Sequence, residues 1–257
     1  MRLPTTRRAA VAGLVAVAAL VLGSTPASAA PGDASAYGAK LDLSLLGRDA
    51  VSTGPFAAAD ANGPTTGTFA TVDAPEVLRT GVLNASASRD DKTGGVGSWA
   101  STADVRLDLL ATATGGVSAD LVEAECAATQ KGVVGRSELV GLDLGRLGEV
   151  GVEPAPNTTL DVDLLGVDVA AVVLNEQVRN ADGSLTVNAL HVTLIGGALG
   201  SAGAGDLVLS SVTCGPAGLP IPMASGAGLW IGLGLLALFG VPVGASALRR
   251  RHELAAV

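Results

Sequence analysis

The chain has 257 residues, with 16 Lys+Arg against 24 Asp+Glu and a formal charge of −8. An acidic chain with pI near 4.7 has nothing to offset repulsion from phosphates, which argues against nucleic acid as a partner. The apolar fraction of 48% excludes wholesale disorder, and a mean hydropathy of +0.48 is too high for an ordinary soluble domain unless apolar residues are concentrated somewhere.

They are concentrated at the two ends. Residues 1–8 carry three arginines and no acid, 9–23 are a run of Ala, Val, Leu and Gly, and Ser24-Thr25-Pro26 breaks that run. Ala27-Ser28-Ala29 then supplies the small-x-small pattern of signal peptidase, so 1–29 read as a secretory signal cleaved between Ala29 and Ala30. The run is short for a bilayer span, which disfavours an uncleaved anchor. Arg7-Arg8 suggests twin-arginine export, but Ala9-Ala10 stand where a bulky apolar residue is expected; ordinary Sec export is favoured.

The exported segment, 30–225, holds 10 Lys+Arg against 23 Asp+Glu, a formal charge of −13. An acidic middle favours solubility and leaves room for Ca²⁺ or cationic partners. Its texture is β. Leu41, Leu43 and Leu45 alternate with polar residues, as do Val105, Leu107 and Leu109, and Val122, Ala124, Cys126 and Ala128. The habit recurs around 139–144, 160–164, 167–178, 185–194 and 207–212. Period-two runs punctuated by Gly, Asn, Asp and Pro predict an all-β domain, an antiparallel β-sandwich or related barrel of about eight to ten strands. Residues 53–76, rich in Gly, Pro, Thr and Ala, read as an irregular loop or edge excursion.

Cys126 and Cys214 are the only thiols, both beyond the signal. In an oxidising compartment they are expected to form a disulfide closing an 88-residue loop, which on the chain-entropy model stabilises by about 4–5 kcal/mol. A metal or redox role lacks CxxC spacing and a second exported histidine.

At the C-terminal end no charge lies between Asp206 and Arg249. Residues 226–248 as a helix would be about 34 Å long, enough to cross a hydrocarbon core of roughly 30 Å. Trp230 sits near the outer boundary, and Arg249-Arg250-Arg251 open a tail, 249–257, that the positive-inside rule keeps cytoplasmic. A buried core helix would not stop at three adjacent arginines. Leu219-Pro220-Ile221-Pro222-Met223 lacks the Thr-Gly of a sortase signal, so wall attachment by that route is not expected. The chain therefore reads as single-pass in the cell membrane, with the domain outside.

The chain also resembles a known family, the choice-of-anchor P proteins, exported by actinobacteria. The likeness lies in Ala36-Tyr37-Gly38, Gly81-Val82-Leu83, the segment around Cys126, and Pro156-Asn157-Thr158-Thr159. It continues through Val173-Leu174-Asn175-Glu176-Gln177 and Thr186-Val187-Asn188-Ala189-Leu190-His191 to Cys214-Gly215. The resemblance implies an exported domain over most of 36–215 with variable anchoring and no assigned activity.

Chemistry has one candidate pair. Asp182-Gly183 predicts a two-residue type I′ turn joining the strands around Glu176 and His191. In that register Glu176 faces Ala189 and Leu174 faces His191. Glu176 and His191 become diagonal neighbours on the more apolar face, with Leu174, Val178, Val187 and Ala189. A carboxylate beside an imidazole serves as an acid/base pair, as half a metal site, or as a structural ion pair; the last is favoured. Asn175-Glu176 resembles a glycosidase acid/base segment, but a second carboxylate at defined spacing and aromatic platforms are wanting. Asp60-Ala61-Asn62-Gly63 resembles the start of a calcium loop without its later Glu. The Leu-Asp units at 41–43, 107–109, 142–144 and 160–162 read as solvated strand faces, and no serine-hydrolase, zinc-protease or phosphate-loop motif is present. The expected function is a non-enzymatic surface protein for envelope structure or adhesion. It would have no cofactor unless Ca²⁺, and the cell wall or another surface protein as partner. The alternative is a hydrolase or metal-dependent ligand-binding domain using Glu176 and His191.

Overall fold

A computed structural model describes residues 30–45, 50–196 and 203–219. The signal 1–29, the apolar segment 226–248 and the tail 249–257 lie outside the described residues. No helix among the described residues is long and apolar enough to cross a membrane.

The described residues form 14 strands in two seven-stranded antiparallel sheets. Three strands come first: β1 (Ala34–Leu45), β2 (Val51–Phe56) and β3 (Ala59–Asp60). The middle of the chain supplies β4 (Thr66–Phe69), β5 (Asp73–Ala74), β6 (Leu78–Arg79), β7 (Leu83–Asp90), β8 (Gly95–Leu107), β9 (Val117–Thr129) and β10 (Gly132–Val140). Last come β11 (Thr158–Leu164), β12 (Val167–Arg179), β13 (Leu185–Leu194) and β14 (Gly203–Cys214). One sheet runs β11-β12-β13-β14-β1-β2, with β3 also on β1; the other is built wholly from β4 to β10. The first and last thirds of the chain thus make one sheet, and the middle makes its cover.

The all-β expectation holds, but there are 14 strands among the described residues where the sequence predicts about eight to ten, because the stretch from 59 to 79 adds four short ones of two to four residues, β3 to β6. Val105 and Leu107 are buried as their alternation predicts, but the strand ends there: 108–110 is a 3-10 turn leading into α1 (Ala111–Thr114). Gly115 and Gly116, both at positive φ, turn the chain back into β9. The 53–76 segment is an edge excursion with strand content: β2 and β3 extend one sheet, β4 and β5 the other. Phe56 and Phe69, with ring centroids 4.8 Å apart, join the two edges. Asp60-Ala61-Asn62-Gly63 is a turn in which the Asp60 carboxylate accepts the Asn62 N–H at 2.7 Å; Asn62 in turn donates to Asp33 at 2.6 Å.

The core is made of Ala, Val and Leu, so the sheets lie close together. At Gly135 in β10 an added Cβ would sit 2.3 Å from a Val187 methyl, leaving no room for any side chain. Cys126 in β9 and Cys214 in β14 are bonded across this core, their Cα atoms 6.0 Å apart, which ties the middle of the chain to its end.

One row of the first sheet departs from simple pleating. Asn175, Ala189, Ser210 and Gly38 stand side by side on β12, β13, β14 and β1, and all four drop out of the paired ladder. Asn175 and Ser210 have φ of 50° and 51°, the left-handed region. On one side of this row Ala36, Val212 and Val187 point into the core; on the other it is Ala39, Leu209, Leu190 and Leu174. The inward parity of four strands switches together. Thr102 of the covering sheet bridges the gap, donating to Gly38 C=O at 2.9 Å and lying 3.0 Å from the Ser210 hydroxyl. Ser210 donates to Val122 C=O at 2.8 Å.

Candidate functional site

The β12–β13 connection determines where Glu176 and His191 fall. The expected two-residue turn is not formed. Asn180 N–H instead donates to Ser184 C=O at 2.9 Å, leaving a three-residue loop, Ala181-Asp182-Gly183, with Gly183 at φ 84°. Asp182 accepts from both the Ser184 N–H and its hydroxyl, at 2.9 and 2.7 Å, which stabilises the longer loop. The register therefore moves by one residue: Glu176 pairs with Asn188, Leu174 with Leu190, and Val173 with His191. The break in the row decides the faces: Leu174 and Glu176 on β12, and Val187 and His191 on β13, would share a face under plain alternation, and the interruptions at Asn175 and Ala189 reverse it. Glu176 and His191 are not on the apolar side with Leu174 and Val187 but on the outer face of the sheet.

There they meet across the interrupted row. His191 Nδ1 lies 2.8 Å from Glu176 Oε2, and its Nε2 lies 3.0 Å from Asp206 Oδ1 on β14. Glu176 Oε2 also accepts from Asn188 Nδ2 at 2.6 Å, and Thr193 donates to Asp206 at 2.9 Å. The His191 and Glu176 side chains are 19% and 21% exposed, so their charges are only partly screened, whereas Asp206 is 53% exposed. The Glu176 hydrogen bond raises the imidazole pKa above its ordinary value against the effect of burial, and Asp206 adds to the rise. His191 in turn lowers the Glu176 carboxyl, helped by Asn188 and opposed by burial.

Further along the same outer row stand Ser211 and Tyr37, in register with Asn188. Burial raises the Tyr37 phenol, while a hydrogen bond with Ser211 works the other way. Lys40, 2.7 Å from Asp42, closes the polar strip on β1. Asn188 is itself buried, and its Oδ1 finds no hydrogen-bond partner among the described residues.

Both ring nitrogens of His191 face carboxylate oxygens, and only the imidazolium donates from both. The group is thus held as a charged link joining β12, β13 and β14. As a general base or metal ligand it would have to surrender one of these bonds. Among the described residues no group of three or more His, Cys, Asp or Glu is placed to hold a metal ion. Asp206 and Ser211 belong to no motif of the sequence, and Tyr37 and Asn188 stand there only within the segments that carry the family resemblance. The available signal was a skipped beat in the alternation: Leu174-Asn175, Ala189-Leu190 and Ser210-Ser211 are each consecutive buried pairs.

A second concavity, of about 420 Å³, lies at the end of the sandwich where β8 and β9 meet α1, and brings together Asp104, Asp108, Asp120 and Asp143 with Arg106. Two of these acids come from the Leu-Asp units at 107–109 and 142–144. Asp143 is occupied with the Gly145 N–H at 2.8 Å.

Compared with models of known families, with curated proteins and with solved structures, the chain matches none.

Proposed function

We propose that this protein is a single-pass surface protein whose β-sandwich is exported by the 1–29 signal and held outside the membrane by 226–248, serving envelope structure or adhesion. It would be of the choice-of-anchor P kind. The observation that carries this reading is where the ends of the domain lie. Gly32 N–H donates to Pro216 C=O, and Gly215 N–H to Asp33 C=O, both at 2.8 Å. Gly218 is held by the β7–β8 turn through Gly94 C=O at 2.8 Å, and Gln130 of the β9–β10 turn donates to Gly218 C=O at 2.8 Å. Both ends thus leave at one pole. A linker of 220–225, spanning at most about 20 Å, would keep that pole against the membrane and present the opposite pole outward. The Glu176–His191–Asp206 geometry favours a structural clamp over the hydrolase alternative.

The test is protease treatment of intact cells carrying an epitope after residue 257. The expected result is loss of the domain with a short tagged fragment kept in the membrane fraction. Full protection of the chain, or its recovery from the cytosol, overturns the reading. Cosedimentation of the protein with isolated cell walls, with and without Ca²⁺, then decides between wall contact and a protein partner.

A further inference from the structure

The outward pole carries a knob and a socket. β11 and β12 are joined by Leu165-Gly166, at φ 55° and 81°, a tight turn of the I′ type. Leucine is a poor choice at a left-handed position, where the Cβ costs about 1–2 kcal/mol and Gly or Asn is usual. Yet Leu165 stands there 98% exposed, the most exposed large apolar side chain among the described residues. β12 runs 13 residues from this tip to the pole where the chain ends lie, so the tip stands roughly 40 Å from that pole. Beside it, between α1 and the sheet, is an apolar recess of about 160 Å³ lined by Leu109, Ala113, Leu164, Val169 and Leu194. Ile195, 40% exposed, lies next to it.

The charges around knob and socket are complementary. Leu165 is flanked by Asp163 and Asp168, close enough that the Asp168 carboxyl is raised chiefly by its hydrogen bond to Asp163, with like-charge repulsion adding to it. At the recess Arg146 is held by the carbonyls of Thr112 and Ala113 at 2.9 and 2.7 Å, its charge outward. We propose that the occupant of this recess is a second copy of the chain: two domains meet pole to pole about a two-fold axis. Leu165 of each enters the recess of the other, and Asp163 and Asp168 meet the opposing Arg146. Knob and socket on one pole make the contact self-complementary, and a two-fold axis closes it without a filament. Combined with the anchor proposed above, the pairing would link facing surfaces; the contact itself does not depend on the anchor.

Sedimentation equilibrium of the full chain in non-ionic detergent tests it. The wild type should dimerise, and Leu165→Asp should weaken the dimer by about a hundredfold or more, two buried leucines being lost. Its far-UV circular dichroism should be unchanged, because the side chain touches nothing in the monomer. Arg146→Asp should weaken self-association, and mixing it with Asp163→Arg/Asp168→Arg should restore a heterodimer. A monomeric wild type overturns the proposal. So does a dimer that Leu165→Asp leaves intact, which would place the contact elsewhere, or a recess that instead takes up lipid or detergent.

Discussion

His191 shows how a single side chain joins three strands. Its folded pKa is raised, so its stabilising contribution is complete below the ordinary histidine value and is lost as pH rises through the folded pKa. Glu176, lowered, behaves oppositely: its contribution is present above the ordinary glutamate value and disappears as pH falls through its folded pKa. Urea unfolding across pH should give a plateau between these limits that drops on both sides. The alkaline drop should be on the order of 1 kcal/mol, since the cluster is only partly buried. His191→Gln should remove the alkaline drop; a curve parallel to wild type would exclude the clamp. Thr102 is the core counterpart. Thr102→Val keeps the shape but strands Gly38 C=O, while the Ser210 hydroxyl keeps its bond to Val122 C=O, and should lower the unfolding free energy by about 1–3 kcal/mol. Gly135→Ala, which drives a methyl against Val187, should also destabilise, by about 1–3 kcal/mol, in the same denaturant measurement.

At the scale of elements, the interrupted row across β12, β13, β14 and β1 explains why alternation read along one strand is correct on each side of the row yet out of phase between them. Asn175 tolerates φ 50° better than most residues, and its amide donates to Pro154 C=O at 2.8 Å, holding the approach to β11. Asn175→Gly should keep the row and lose only that bond and the one that the Asn175 Oδ1 accepts from Gln177 Nε2 at 3.1 Å. Asn175→Val adds a β-branched side chain at left-handed φ and should be the more destabilising by about 1–2 kcal/mol, read as a difference in urea midpoints. Equal effects would mean that the row is not held by residue 175. Strand existence was legible from period two at 122–128, 160–164 and 185–194, because one buried face imposes the pattern. The β12–β13 register was not legible. Asp182-Gly183 suits a two-residue turn, and the choice of a three-residue loop rests on the Ser184 bonds to Asp182. That one-residue difference changed which residues pair, while the parity reversal at Asn175 and Ala189 put Glu176 and His191 on the outer face.

For the whole molecule, the Cys126–Cys214 bond joins the covering sheet to the last strand of its partner. Replacing both cysteines by alanine should lower stability by about 2–5 kcal/mol, a fall in melting temperature of roughly 5–15 °C for a domain of this size. An unchanged melting temperature would show that the Ala-Val-Leu core suffices without the link. The core's composition makes the loss matter, since small side chains bring the sheets close but bury little area each.

By itself the sequence determined that the chain folds as antiparallel β. Inward and outward positions must alternate where one face is buried, and that requirement is written residue by residue. It also carried the two cysteines and the basic and apolar character of the ends. Only the tertiary structure decided that the first and last thirds of the chain share a sheet, since pairings such as Ala34 with Cys214 bring together residues distant in sequence. It likewise decided that a row of four strands reverses parity, that His191 sits between two carboxylates from two other strands, and that a leucine knob and an apolar recess share one pole. Each of these depends on register and on which strand lies next to which. Those are set by packing energies summed over the whole core, to which no single stretch of sequence contributes enough to be read alone.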